Sequence, residues 1–459
     1  MLIDKTKKNS WLGLRDRSPT EILVFGFAIL IFLGALLLNL PIASVAGKSP
    51  GFINCLFTST SAVCVTGLVV VDTGTHWSLF GQIIIIILIQ IGGLGFMSLM
   101  TILFVIAGKT ITIKNRLLIQ SSVNSDRVEG IVKFTKYIVI SSLVIEMVGA
   151  ILLSIVFIPD YGILKGIYYG IFHSISSFCN AGFDLIGGYQ SFVPYSDDVI
   201  LNITVCLLIA VGGLGFAVTS DLISFKKTRR LSLHSKIVLV ITGILIVGGA
   251  LLIFIFEYNN PATLGDMPVG EKVLASFYQS VTPRTAGSNT ISQSGMTDPS
   301  KAITMILMFI GGSPGSTAGG VKTTAIALLF IILIGVLTGK KELSCFKRNI
   351  PIQTIKVAAS VFFIGILIVF SVYLILCIAE PDVPTQSLLF EVFSAYATVG
   401  LTCDVTPHLS IVSKIALIIT MFIGRVGPLT IAYVITQKER RELENKGHYK
   451  LPDGNVLIG

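Results

Sequence analysis

The chain has 459 residues, 53% of them hydrophobic and only 13% charged, with a mean hydropathy of +0.85. Soluble domains carry about 25% charged residues, so this composition excludes a soluble globular protein and points to a polytopic membrane protein. The net charge of +9 then becomes a question of where the cations lie along the chain.

Residues 1–20 are polar and basic, with Lys5, Lys7, Lys8, Arg15 and Arg17. The apolar run Ile22–Leu40 exceeds the roughly 7 to 15 residues of a signal-peptide core and reads as a retained helix. From there one plan repeats four times: a long apolar helix, a shorter half-apolar segment, a glycine turn and a second long apolar helix. Runs of about 20 apolar residues cross a bilayer, and runs of about 10 to 14 re-enter it. Module one (21–110) is predicted to contain Ile22–Leu40, the short Phe52–Val63 and Leu79–Ala107. Module two (130–225) contains Ile131–Ile158, the short Ile163–Phe178 and Val199–Ile223. Module three (236–338) contains Ile237–Phe256, the short Val269–Val281 and Ala302–Leu337. Module four (354–436) contains Ile355–Ile378, the short Ser387–Ala397 and Ile411–Ile435, and 437–459 is a polar tail. The expected fold is all-α: eight full spans and four re-entrant pore helices, pseudo-symmetric around one central pore.

After each short segment comes a related turn: Val65-Thr66-Gly67, Asn180-Ala181-Gly182, Thr285-Ala286-Gly287 and Thr398-Val399-Gly400, spaced 105 to 115 residues apart. A threonine-valine-glycine turn between apolar helices reads as a cation filter. Backbone carbonyls replace the ion's water shell, and glycine lets the chain turn them inward. These twelve residues are the predicted ion-binding set. Asp184 and Asp404, two and four residues past their glycines, are the best candidates for an acidic rim.

A second signal follows on each trailing helix: Gly92-Gly93-Leu94-Gly95, Gly212-Gly213-Leu214-Gly215, Gly311-Gly312-Ser313-Pro314-Gly315 and Gly424-Arg425-Val426-Gly427. Close helix approach and helix bending around a cavity both use such glycines. In module three the cluster extends through Ser316, Thr317, Ala318, Gly319, Gly320 and Lys322. Proline with clustered glycine cannot stay helical, and irregular backbone at membrane depth must line a wet cavity or be buried in protein. Gly311 to Thr324 is therefore expected to cross the pore below the filter as a gate. Gly315, Gly320, Lys322 and Thr323 imitate a phosphate loop, but Val321 spoils the spacing and no strand precedes it. Arg425 either faces the pore and opposes cations there or is tied to backbone carbonyls. Glu146 and Glu391 are further intramembrane acids, functional candidates by default or buried partners of Arg425 or Lys322.

Of the 34 Lys and Arg residues, 26 fall in 1–20, 108–136, 225–236, 339–356 and 437–459. An even number of spans puts these segments on one side, and the positive-inside rule makes that side, with both termini, cytoplasmic. The charge is thus topology, not a nucleic-acid footprint. Seven scattered cysteines and five isolated histidines offer no metal site and no catalytic pairing, so no enzyme is expected and no cofactor in this chain. An alternating-access symporter would need inverted repeats, whereas these four modules all run in the same direction. The basic clusters Lys226 to Arg230 and Lys340-Lys341 suit either anionic lipid or a cytosolic partner.

The four turns and the glycine-rich third trailing helix resemble the Trk/Ktr/HKT superfamily of cation transporters over roughly residues 20–435, most closely its bacterial Ktr membrane subunits of the KtrB or KtrD type. The resemblance implies potassium uptake across the bacterial plasma membrane, often sodium-dependent, by a homodimer. It also implies a cytosolic ring of nucleotide-binding RCK-domain subunits of the KtrA or KtrC type, with ATP or ADP bound on that partner only. By position it assigns Gly67, Gly182, Gly287 and Gly400 to the filter, Gly311–Thr324 to a gating loop and Arg425 to the pore. Glycine at all four filter positions fits the potassium-selective kind. Ser288 departs from relatives that carry an aromatic there.

Overall fold

The computed structural model describes residues 19–95, 130–339 and 344–431. Helices α1 (Pro19–Leu38), α2 (Phe52–Val63) and α3 (Leu79–Leu94) come first. They are followed by α4 (Ile131–Tyr161), α5 (Ile163–Phe178), α6 (Val199–Leu214) and α7 (Phe216–Thr228). Next are α8 (Leu233–Glu257), α9 (Val269–Val281), α10 (Asp298–Phe309) and α11 (Thr323–Leu337). A two-stranded hairpin, β1 (Ser344–Cys345) with β2 (Arg348–Asn349), leads to α12 (Ile352–Ala379), α13 (Thr385–Ala397) and α14 (Ile411–Val426). The architecture is all-α and polytopic. Large apolar side chains such as Leu36, Ile87, Ile151, Val247 and Leu367 stay exposed on the outside. Apolar surface on that scale, much of it on helices long enough to span a bilayer, marks a face covered by lipid or a partner.

Among the described residues, α1, α4, α8 and α12 are long and apolar enough to cross a membrane unbroken. Each leads into a short helix, α2, α5, α9 or α13, and three of these pairs share one interlock. Ser59 Oγ donates to Ile31 O (2.7 Å), Ser174 Oγ to Glu146 O (2.6 Å) and Ser280 Oγ to Ile246 O (2.7 Å). In each case the serine sits over a glycine one turn on, Gly34, Gly149 or Gly249, where any side chain would collide with it. The missing Cβ lets the helices approach closely enough for a hydroxyl to reach a backbone carbonyl across the contact. In the fourth pair Gly365 faces the Tyr396 ring instead.

The trailing helices are interrupted at the glycine clusters, where bending was one of the two expectations, and in module three, where proline and glycine implied a break. Helix α3 stops at Gly95, α6 bends by 99° into α7 at Gly215, and α14 stops at Gly427. These three glycines have φ of 82°, 89° and 94°, a region that right-handed helices cannot enter. The third trailing segment is broken outright between Phe309 and Thr323. The starts match the expected positions: Ser78, Asp198 and Ser410 cap α3, α6 and α14 through their side chains, as N-cap residues should. The remainder of the first trailing helix, Phe96 to Ala107, lies outside the described residues, as do the basic tails within 1–18 and 437–459 and Lys340-Lys341.

Candidate functional site: four glycine turns around one axis

Each short helix ends in the same backbone manoeuvre. Val65, Asn180, Thr285 and Thr398 adopt φ of 57°, 61°, 74° and 52°. Two residues later Gly67, Gly182, Gly287 and Gly400 have φ of 92°, 70°, 81° and 98°. The residue between them returns its N–H to the helix end: Thr66 to Ser61 O (2.7 Å), Ala181 to Ser176 O (2.7 Å), Ala286 to Thr282 O (2.9 Å) and Val399 to Ser394 O (2.8 Å). In two turns a serine hydroxyl also accepts the glycine N–H at 3.0 Å, Ser61 for Gly67 and Ser394 for Gly400. With each N–H held by its own helix, the carbonyls are left to point elsewhere.

Each lies beside the glycine of the neighbouring turn. A methyl group at Gly67 would lie 2.5 Å from Ala181 O, and one at Gly182 would lie 2.7 Å from Ala286 O. A methyl at Gly287 would collide with Val399 O, and one at Gly400 with Thr66 O, which closes the ring in chain order. Thr66, Ala181, Ala286 and Val399 thus each present a carbonyl beside the neighbouring turn. Among the described residues, none of these four carbonyls accepts a hydrogen bond. Buried backbone acceptors are rarely left unpaired, so this ring calls for water or a cation.

Directly beneath the fourth turn lies the segment between α10 and α11. Gly319 sits against Thr398 and Ala397 O, and Gly320 against Ala397. A bridge between Ile310 and Val321 pins the ends of the segment, with Gly311 N donating to Val321 O at 2.9 Å. The segment is seated in the break of α6. Ser313 N donates to Gly213 O (3.0 Å), Thr317 N to Gly212 O (3.4 Å), and Gly315 O accepts from Phe216 N (3.0 Å). It thereby satisfies the last carbonyls of α6 and the first N–H of α7, groups that a helix break leaves orphaned. Lys322 Nζ folds back on Ala318 O at 2.6 Å.

Arg425 takes the carbonyl-tied alternative. Its guanidinium donates to Thr317 O, to Gly92 O and, at 3.4 Å, to Gly93 O. It therefore joins the broken segment to the C-terminal end of α3, where a cation complements the helix dipole. Of the two alternatives for Glu146 and Glu391, pairing with Arg425 or Lys322 is not found among the described residues. Glu146 accepts from Gln90 Nε2 at 3.1 and 3.0 Å, and Glu391 accepts from Thr402, Cys403 and Thr406. Neutral side-chain donors satisfy Glu146, and two hydroxyls with one backbone amide satisfy Glu391.

Both alternatives hold for the glycine clusters, at different positions. Gly92, Gly212 and Gly424 press against the carbonyls of Val63, Phe178 and Tyr396 at the short-helix ends, while Gly95, Gly215 and Gly427 make the breaks. All seven cysteines are free, five of them buried. At the outer end of the turns, Asp184 accepts from Ile186 N (3.1 Å) and Gly187 N (3.5 Å), and Asp404 from Ser294 Oγ (2.6 Å). Burial, and secondarily the neighbouring Asp72, pushes the Asp184 carboxyl up to about 6.

Comparison with known proteins agrees with this architecture. Residues 6–443 match the family TrkH, described as a cation transport protein. The chain is 41% identical over 445 residues to the potassium/sodium uptake protein NtpJ of Enterococcus hirae, covering 96% of this chain and 97% of that one. It is 39% identical to the Ktr system potassium uptake protein B of Bacillus subtilis over the full length of both. The crystal structure of the potassium transporter TrkH from Vibrio parahaemolyticus superposes with a TM-score of 0.73 at 17% identity, covering 94% of this chain and 87% of that chain. The chain belongs to the TrkH family of cation transport proteins, on its Ktr branch.

Proposed function

We propose that the chain takes up potassium across a bacterial cell membrane through a channel-like pathway on the axis of the four turns. The observation that carries this reading is the ring of four unpaired carbonyls at Thr66, Ala181, Ala286 and Val399. Carbonyl dipoles converging from four sides can replace the hydration shell of a monovalent cation. The ion-binding set is then Val65 to Gly67, Asn180 to Gly182, Thr285 to Gly287 and Thr398 to Gly400. The membrane potential supplies the drive, about 2.3 kcal/mol per charge per 100 mV, or roughly 50-fold accumulation. Gly311–Gly320, Lys322 and Arg425 form the gate: the segment lies under the ring and must release its partners on α6 and Arg425 to open a passage.

The names of the Enterococcus and Bacillus relatives support potassium as cargo, and the former also supports a sodium-linked variant. One short turn per module, in place of the longer filter of a potassium channel, gives fewer coordinating rings and weaker discrimination against sodium. The likeness to a member of a named Ktr system supports a partner subunit. In this proposal a homodimer carries two separate pores and docks a cytosolic RCK-domain ring of the KtrA or KtrC type, which holds the ATP or ADP. Both termini face the cytoplasm.

Expression in a bacterium deficient in potassium uptake tests the proposal. The wild-type chain restores growth at low potassium. Gly400→Ser forces a side chain onto Thr66 O at a φ of 98°, and growth at low potassium is lost or becomes sensitive to sodium. Absence of rescue by the wild-type chain with its partner subunit present would refute potassium uptake.

A further inference from the structure

One position recurs in all four short helices without sharing a residue type. It lies nine residues before the turn glycine: Thr58 before Gly67, His173 before Gly182, Tyr278 before Gly287 and Glu391 before Gly400. All four side chains are fully buried. Three of them reach over the turn to the segment that leaves it. His173 Nε2 accepts from Leu185 N at 3.1 Å, which leaves the proton on Nδ1 to donate to Tyr169 O at 2.8 Å. Tyr278 Oη pairs with Ser288 Oγ at 2.6 Å. Glu391 reaches furthest: one carboxylate oxygen accepts from Thr402 Oγ1 and from Cys403 N at 3.2 Å, and the other from Thr406 Oγ1 at 2.9 Å. Thr406 Oγ1 and Thr402 Oγ1 lie 3.1 Å apart and close the network. Thr58 instead donates within its own helix, to Asn54 O at 2.9 Å.

We infer that this position is a brace that fixes the outer side of three of the four turns, and that Glu391 is the dominant positioning residue for potassium-over-sodium discrimination. The inference rests on the filter reading above. Each turn is held from the inner side by its backbone N–H bonds to the helix end. On the outer side the chain must be held by something else, because carbonyl direction depends on both flanks. In the fourth turn that hold is a buried carboxylate with three donors, and hydrogen bonds to a carboxylate are about twice as strong as neutral ones. The segment it holds bends sharply: Asp404 has φ of 63°, and its carboxylate takes a bond from Ser294 in the preceding module. Glu391 therefore fixes not only its own turn but also the seam with the third. Ser288 belongs to the same scheme, since its hydroxyl receives the Tyr278 brace.

The test is the ratio of potassium to sodium flux into liposomes holding the purified full-length protein, at one imposed potential, with thermal melting measured in parallel. The expected result for Glu391→Ala is a ratio lowered about fivefold or more, because slack in the carbonyls weakens size and field discrimination alike. Glu391→Gln keeps the shape and can re-form the network with one bond reversed, so it recovers most of the ratio. Thr402→Ala removes one donor only and lowers the ratio in the same direction by a smaller factor. It carries the test if Glu391→Ala fails to fold. Thr58→Ala, at the same helix position without a brace, leaves the ratio unchanged. A purely structural role would lower melting and both fluxes together with the ratio constant, and that outcome overturns the inference. So does an equal fall in Thr58→Ala. If the wild-type protein itself fails to favour potassium, the filter reading fails first.

Discussion

At residue scale, Asp184 shows how a turn imposes its chemistry on the solvent beside it. Its carboxyl is held by two backbone amides yet pushed up to about 6, first by burial and then by Asp72. The sign follows directly. The folded chain favours the neutral acid relative to a free aspartate, so the group is charged at pH 7 and takes up a proton as pH falls through about 6. A charged acid two residues beyond Gly182 raises the local cation concentration, and a neutral one does not. Half-saturation for potassium uptake is therefore expected to rise about two- to threefold as the pH on the acidic-loop side falls from about 7 to about 5. Asp184→Asn should remove that step and show the weaker affinity throughout. Measured uptake against potassium concentration at several pH values checks it, and an unchanged pH profile in the variant would count against a role for Asp184.

At the scale of elements, the broken third trailing segment is held by groups that other elements leave unsatisfied. Helix α6 supplies orphan carbonyls at Gly212 and Gly213, and α3 supplies Gly92 and Gly93. The segment's own N–H groups answer the first pair, and Arg425 answers the second while also holding Thr317 O. A planar guanidinium can bridge two sides at once, where an ammonium offers only a point charge. Arg425→Ala removes both the bridge and a cation beneath the ring, so uptake in the absence of any partner subunit should rise several-fold, with Arg425→Lys intermediate. Flux into liposomes measures it, and a fall in flux with normal folding would mean that Arg425 assists passage. These relations explain what the sequence could not announce. Phe52–Val63, Ile163–Phe178 and Val269–Val281 were legible to the residue because glycine, proline or a turn bounds each of them. The glycine clusters pointed to bending but not to Gly95, Gly215 and Gly427 as the residues that break, because an apolar run continues through a bend without changing its hydropathy. The partners of Arg425 are backbone carbonyls, which have no letter in a sequence. The brace residues share an offset but no side-chain type, so only their contacts reveal them.

At the scale of the whole molecule, the fold makes four distant segments of one chain into a single closed ring. The repeat was visible in the sequence as four glycines at similar spacing, and the family match covers residues 6–443. What the spacing could not supply was adjacency: each glycine lies beside the carbonyl preceding the next glycine, and the last lies beside the first. A shared ring has a consequence that four independent sites would not have. On the proposed pathway an ion on the axis would meet all four turns at once, so damage to any one of them would degrade the whole. The most direct measurement is the potassium-to-sodium flux ratio in liposomes for Gly67→Ser, Gly182→Ser, Gly287→Ser and Gly400→Ser, made one at a time. The account predicts that every one of the four lowers the ratio. A single glycine replaced with full retention of the ratio, in a folded protein, would contradict a common axis.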